Sequence, residues 1–125
     1  MKVFSVEEAN SLLPTVRGIL SRIQSTHKRL ASFKTAAKYA AEGAEQGGGG
    51  MQDGPYYVSL LIELLSNTSE IETLGVQLKD HTRGLIDFPS LRDGRVILLC
   101  WQLGEGDQIE WWHDVEDGFA GRQPL

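Results

Sequence analysis

The spacing of apolar residues changes at Gly75, and this change divides the chain into two parts. Before Gly75, apolar side chains recur every three or four residues, the period of a helix that buries one face. After it, short runs of branched and aromatic residues are separated by turn-forming segments, as in β-strands. Glycine at the boundary accepts the left-handed geometry of a helix end. The sequence therefore predicts an α+β fold in which helices precede a sheet.

The first helical segment carries two signals that define its start. Ser5 and Glu8 have the spacing of a capping box, which predicts a short helix at about 6–11. Pro14 disfavours helical geometry at the preceding residue and fits the first turn of a new helix. We therefore expect a second, long helix at about 13–41, with an apolar face and a basic, solvated back.

The sequence predicts a long antiparallel helical hairpin over about 6–74, with its turn in the middle of the chain. Residues 43–54 contain four consecutive glycines and are expected to form a flexible loop. They lack the Lys-Ser or Lys-Thr pair of a phosphate-binding loop. The next helix is predicted at about 55–74, and its apolar arc covers half of its circumference. It should therefore touch the first helix and also a sheet or a second subunit.

The second part of the chain predicts a three- or four-stranded antiparallel meander. Turn chemistry lies between apolar runs, and short connections favour antiparallel neighbours. Three strands are well marked, and a fourth precedes them; the predicted strands are 76–79, 85–89, 95–102 and 108–113. The sheet part thus covers about 76–113.

The register of these strands decides which side chains share a face. We expect a turn at 90–94 that pairs Pro89 with Arg95, and a turn at 103–107 that pairs Gln102 with Gln108. This register places Asp87 and His113 on one face, two strands apart, so that a metal or a water bridges them rather than a direct hydrogen bond. It places Trp101 and Trp111 on that same face.

Both predicted faces are mostly apolar, which indicates a sheet covered on both sides. The helical hairpin covers one side. The other needs the C-terminal tail, the N-terminal segment or another chain, and this predicts a homo-oligomer, with a dimer favoured. The last eight residues, GFAGRQPL, have few charges for a disordered segment, so the tail, 114–125, is expected to be ordered and to pack on the sheet.

Length and composition restrict the class of protein. A chain of 125 residues fits a single domain, 1–125, and the one cysteine, Cys100, allows no intrachain disulfide, as is usual in a reducing compartment. No signal peptide and no membrane-spanning run is visible, so a cytoplasmic location is expected. The net charge is −5, divided between +4 for residues 1–42 and −9 for residues 43–125. This balance makes nucleic-acid binding unlikely.

The acidic C-terminal segment contains the candidate site residues. Imidazole and carboxylate groups are common ligands of divalent metals, so His113, Glu116 and Asp87 form a candidate metal site. The alternative is a strand end rich in acids, with His113 satisfied by a neighbouring carboxylate. Arg122 and Arg83 are the candidate anion-binding residues, because a guanidinium group takes carboxylate or phosphate in a bidentate fashion. In the predicted register Cys100 faces away from His113, and we interpret it as a buried, inert thiol.

Four segments in order resemble the DUF2203 family of bacterial proteins. They are GLIDFP at 84–89, LCWQLGE at 99–105, WWHDVEDGF at 111–119 and GRQPL at 121–125, and FSVEEANSLLP at 4–14 resembles the start of that family. The resemblance spans nearly the whole chain. It implies a bacterial, cytoplasmic, single-domain protein and transfers no catalytic residues.

Two functional hypotheses follow from these observations. The favoured one is a non-enzymatic oligomeric or interaction protein with no cofactor, supported by the broad apolar arc of the second helix, the two-sided sheet and the charge division. The alternative is a metal-binding protein or metal-dependent hydrolase that uses the His/carboxylate site. No serine–histidine–acid motif, closed zinc spacing or dinucleotide fingerprint is present to favour an enzyme.

Overall fold

Two helices precede a five-stranded antiparallel sheet in the computed structural model, which describes residues 1–45 and 54–125. The strands lie in chain order, as a meander with one strand more than the sequence predicts. The elements are α1 (Val6–Glu45), α2 (Gly54–Thr73), β1 (Gln77–Asp80), β2 (Leu85–Arg92), β3 (Arg95–Gln102), β4 (Trp111–Asp114), a 3-10 turn (Phe119–Gly121) and β5 (Gln123–Pro124). The α+β prediction is confirmed. Of the predicted loop 43–54, residues 46–53 lie outside the described residues.

Helix α1 is continuous through Pro14, so the predicted division into two helices is wrong. Proline removes one helical hydrogen bond and disfavours the geometry of the residue before it. Ala9, Leu13 and Val16, on either side of the proline, are all buried in one core. Their packing holds the helix in one piece across the proline. The capping box at its start is present, with the Glu8 amide donating to Ser5 Oγ and the Ser5 amide donating to Glu8 Oε1.

The helical hairpin is held along its length by contacts between α1 and α2. Near the sheet, Arg22 Nη2 lies 3.3 Å from a carboxylate oxygen of Glu70. Farther along, the rings of Phe33 and Tyr57 stack with centroids 4.9 Å apart. Helix α2 begins and ends within one residue of its predicted bounds. No helix in the described part of the chain combines the length and apolar character needed to cross a membrane.

The turn between β2 and β3 has only two residues, Asp93 and Gly94. Both have positive φ, 51° and 78°, the geometry of a tight hairpin turn that aspartate and glycine tolerate. Strand β2 therefore runs on to Arg92, which pairs with Arg95. The prediction that Pro89 pairs with Arg95 is wrong, because it assigned all five residues of SLRDG to the turn, whereas only Asp93 and Gly94 form it.

The connection between β3 and β4 is longer than predicted. Strand β4 begins at Trp111, which pairs with Cys100, so the predicted pairing of Gln102 with Gln108 is also wrong. The segment before β4 leaves the sheet because Ile109 is buried in the core and its amide donates to Asn10 Oδ1 of α1, at 2.7 Å. The Asn10 side chain of α1 thus holds this segment away from β3, although its composition favours a strand.

One face of the sheet packs against α1 and is entirely apolar at its centre. Its side chains form one buried cluster with those of α1 and Ile71 of α2, and the strand members are Ile86, Phe88, Ile97, Leu99, Trp101 and Trp112. We call this the core face. Trp101 and Trp112 share it and Trp111 lies on the opposite face, so the predicted pairing of Trp101 with Trp111 on one face is wrong.

The opposite face contains Asp87, Leu98, Cys100 and His113, all buried within the single chain. We call this the polar-centre face. Strand β5 extends the sheet beside β4, and just before it the Arg122 guanidinium lies over the ring of Trp111 on this face, 5.0 Å from its centroid. These four side chains are therefore buried without a second subunit, and the homo-oligomer stays a prediction.

Candidate metal centre

Three neighbouring strands bring Asp87, Cys100 and His113 together. Asp87 on β2 lies directly opposite Cys100 on β3, and His113 on β4 lies opposite Leu98, two residues before the cysteine on the same face. One ligand atom from each residue lies within 4.8 Å of the other two. All three side chains are nearly inaccessible to solvent. The expectation that Cys100 faces away from His113 is wrong, because each register error shifts a strand by an odd number of residues and exchanges its faces.

Both nitrogens of the His113 imidazole have partners. Nδ1 lies 2.8 Å from the backbone carbonyl oxygen of Asp114, which can only accept, so Nδ1 carries a proton and donates. Nε2 lies 3.0 Å from Asp87 Oδ1. The prediction that Asp87 and His113 do not contact each other directly is therefore wrong. In the metal-free protein a proton must lie between Nε2 and the carboxylate oxygen.

The Cys100 thiol is protonated at neutral pH. Its pKa is raised to about 12, first by burial and next by the negative charge of Asp87. Arg122 lowers the pKa and Glu105 raises it, so both groups act on the thiol electrostatically, Arg122 from the C-terminal segment and Glu105 from the connection between β3 and β4. A bound cation would reverse this balance, because a metal ion deprotonates a coordinating thiol.

The remaining predicted site residues lie elsewhere. Glu116 is exposed in the turn after β4 and is not part of the cluster. Arg122 donates to both carboxylate oxygens of Glu105, at 2.9 and 2.7 Å. Arg83 donates to Gln102 Oε1 at 2.8 Å, and both guanidinium groups lie over the ring of Phe119. The two arginines thus fasten the C-terminal segment, which contains Phe119 and Arg122, to the sheet.

Cys100 is the member of the cluster that sequence reasoning missed. The Asp93-Gly94 pair was the signal that could have found it, since this dipeptide between two apolar runs favours a two-residue turn. Counting outward from that turn pairs Asp87 with Cys100. The position of His113 had no comparable signal, because the bond from the Ile109 amide to Asn10 that delays β4 joins residues far apart in the chain.

Comparisons with known proteins identify a family and no characterised relative. Neither the curated proteins nor the solved structures contain a match to this sequence. One family model, described as "Uncharacterized conserved protein (DUF2203)", matches residues 2–125. That match includes every residue of the Asp87–Cys100–His113 cluster. The chain belongs to the DUF2203 family.

Proposed function

We propose that this protein binds a divalent transition metal of the zinc class through Asp87, Cys100 and His113. Carboxylate oxygen, thiolate sulfur and imidazole nitrogen are the donors that zinc takes in proteins. A soft thiolate beside an imidazole disfavours magnesium and calcium, which take oxygen ligands. Three protein ligands leave a fourth position of a tetrahedral ion for water or another small ligand.

The orientation of His113 carries the proposal. A metal-binding histidine typically donates its other ring N–H to a carboxylate or a backbone carbonyl, which fixes the tautomer and aims the free lone pair at the metal. The hydrogen bond from Nδ1 to the Asp114 carbonyl has this arrangement. It leaves the Nε2 lone pair directed at Asp87 Oδ1. A cation bound there would be held between the nitrogen and the oxygen.

Distances and charge are both compatible with a metal at this position. With bonds of about 2.0–2.3 Å, the ligand atoms of a tetrahedral zinc site lie about 3.3–3.6 Å apart. The separation of 3.0 Å between Nε2 and Oδ1 needs to open by a few tenths of an ångström, and Cys100 Sγ, which lies within 4.8 Å of both atoms, needs to settle at about 3.5 Å from them. A thiolate, a carboxylate and a neutral imidazole also balance the charge of a divalent ion, and a neutral cluster suits a site without solvent.

The same three residue types also occur in cysteine hydrolases, but the geometry here differs. A nucleophilic cysteine needs a histidine that accepts the thiol proton, with a carboxylate on the far side of the ring. Here the two ring nitrogens are directed at Asp114 and Asp87, so neither is directed at Cys100. The raised pKa of the thiol also opposes formation of the thiolate nucleophile.

Native mass spectrometry of protein purified without chelator tests the proposal. We expect one zinc-class ion per chain. Asp87→Asn, Cys100→Ser and His113→Gln should each weaken zinc binding by at least about 100-fold, since loss of an outer partner alone costs 10- to 100-fold. Glu116→Gln is the matched control, because it removes a nearby acid outside the cluster and should bind zinc as the wild type does.

Circular dichroism of each variant separates loss of a ligand from loss of the fold. A folded Cys100→Ser variant that binds zinc as tightly as the wild type would remove the cysteine from the site. A wild-type protein that remains free of metal after incubation with excess zinc would overturn the proposal.

A further inference from the structure

Four large apolar side chains are exposed along one side of α2. Val58, Leu61, Ile62 and Leu65 are 51, 37, 61 and 70% exposed. Their spacing of three, four and seven residues places them in one stripe over two helical turns. Exposed apolar residues normally occur singly, whereas a contiguous set marks an interaction surface. We call these four residues the α2 stripe.

The α2 stripe lies before the part of α2 that contacts the sheet. That part begins near Thr68, whose Oγ1 lies 3.4 Å from His81 in the β1–β2 turn, and includes Ile71 in the core. The hairpin therefore extends past the sheet, and in this extension α1 covers only one side of α2. Leu60 and Asn67 of α2 are buried, whereas the members of the stripe are not. The stripe therefore lies on a different side of α2 from these two residues.

Charges around the hairpin are separated by helix. Helix α2 has three glutamates and no lysine or arginine, whereas α1 between residues 9 and 41 has six basic residues and no acidic one. Arg22 and Glu70 pair within the hairpin. Glu72, Lys34 and Lys38 are exposed, and no ion pair within 4.0 Å is formed by them among the described residues.

We propose that the α2 stripe is the contact surface for a second copy of this chain, with the two α2 helices antiparallel about a two-fold axis near Leu61 and Ile62. In such an isologous contact the same patch meets itself. Val58 of one copy then packs against Leu65 of the other, and every member of the stripe has an apolar partner.

Charge complementarity supports a second copy as the occupant. Glu72 follows Leu65 by seven residues, two helical turns, and so lies on the same side of α2. In the antiparallel pair it lies beside the far end of the other hairpin. There the Phe33–Tyr57 contact places Lys34 and Lys38 alongside and just beyond the start of α2. The unpaired acid of each copy thus lies near the unpaired bases of the other.

Analytical ultracentrifugation of the full chain tests this proposal. The protein is treated with chelator, so that a failure here is independent of metal binding. We expect a wild-type dimer. Leu65→Glu should raise the dimer dissociation constant by at least about 100-fold, because two-fold symmetry buries two charges in the contact. Leu91→Glu is the control, since Leu91 is exposed at the end of β2, outside the α2 stripe, and its substitution should leave the dimer unchanged.

Charge exchange tests the orientation of the two copies. Glu72→Lys and Lys38→Glu should each weaken the dimer by about 3- to 10-fold, and the double variant should recover most of the loss. A wild-type monomer at about 100 µM would overturn the proposal, as would a Leu65→Glu dimer as tight as the wild type. A monomer whose binding to anionic phospholipid vesicles depends on Leu65 would assign the stripe to a membrane and also overturn it.

Discussion

The two faces of the sheet are built from the same three central strands but are buried in different ways. The core face is apolar at its centre and is covered by a helix whose side chains are also apolar. The polar-centre face buries a carboxylate, a thiol and an imidazole beneath a short C-terminal segment fastened by Arg122 and Glu105. An apolar face is stable with any well-fitting cover. A buried polar cluster is stable only when each member has a partner, whether a proton or a metal.

The largest expected effect belongs to the core face. Phe88 is fully buried and meets Phe4 edge-on, with ring centroids 5.4 Å apart. Phe88→Ala should lower the free energy of unfolding by about 4 kcal/mol, through lost burial and the cavity that remains. Urea denaturation with and without zinc measures it, and the loss should be the same in both. Leu91→Ala, at an exposed site, should change stability by less than about 0.5 kcal/mol.

On the polar-centre face, replacing one residue of the Asp87–His113 pair should change stability differently from replacing both. In chelator, His113→Leu leaves the Asp87 carboxylate buried without its partner and should cost about 3 kcal/mol. Replacing both residues by leucine removes the desolvated charge as well as its partner, and the double variant should be close to wild type in stability. Urea denaturation of both variants measures this. A double variant less stable than His113→Leu would show that the pair itself stabilises the fold.

Zinc should stabilise the wild type through the polar-centre face alone. Free zinc at 100 times its dissociation constant should add about 2.7 kcal/mol to the free energy of unfolding, because the ion binds the folded state preferentially. Thermal denaturation at fixed free zinc measures the gain. Phe88→Ala should retain this gain, whereas Cys100→Ser should lose it. An equal gain in Cys100→Ser would place the bound zinc away from the cluster.

The effect that is smallest near neutral pH is a pH dependence from Cys100 in the metal-free protein. Because its pKa is raised to about 12, the folded thiol keeps its proton in a range where the unfolded thiol has lost it. The unfolded state therefore binds fewer protons, and stability falls as pH rises above the unfolded value. The slope should be about 1 kcal/mol per pH unit near pH 10.

Cys100→Ser isolates this contribution, since the serine hydroxyl does not titrate in that range and every other side chain is the same in both proteins. The measured quantity is the difference in unfolding free energy between the two proteins from pH 8 to about pH 11. A difference that stays constant over this range would mean that the thiol titrates alike in the folded and unfolded states.

Patterns among neighbouring residues were enough to predict the helices. The sheet was predicted less well, because contacts between residues far apart in the chain determine its register. The Ser5–Glu8 box and the boundary at Gly75 involve neighbouring residues, and the structure agrees with both. Pro14 is a local signal that tertiary packing overrides, because core residues on both sides hold the helix together. The helix propensity of the residues around Pro14 contains no information on that packing.

The candidate site depended on strand register, where a small error has a large consequence. Residue type points to both Asp87 and His113, but the predicted turns at 90–94 and 103–107 place Cys100 on the face opposite to both. The structure instead turns at Asp93-Gly94 and starts β4 at Trp111. Residue types therefore indicated the chemistry of the site, and its geometry required the register.

Titration of the chelator-treated protein with Co²⁺ tests the central claim most directly, because cobalt takes the same ligands as zinc and reports them by absorption. We predict one equivalent of binding with a thiolate-to-cobalt charge-transfer band in the near ultraviolet and intense visible bands of a four-coordinate ion. Cys100→Ser should lose the charge-transfer band, and Glu116→Gln should keep it. A spectrum without a thiolate band in the folded wild-type protein would contradict a metal centre at Asp87, Cys100 and His113.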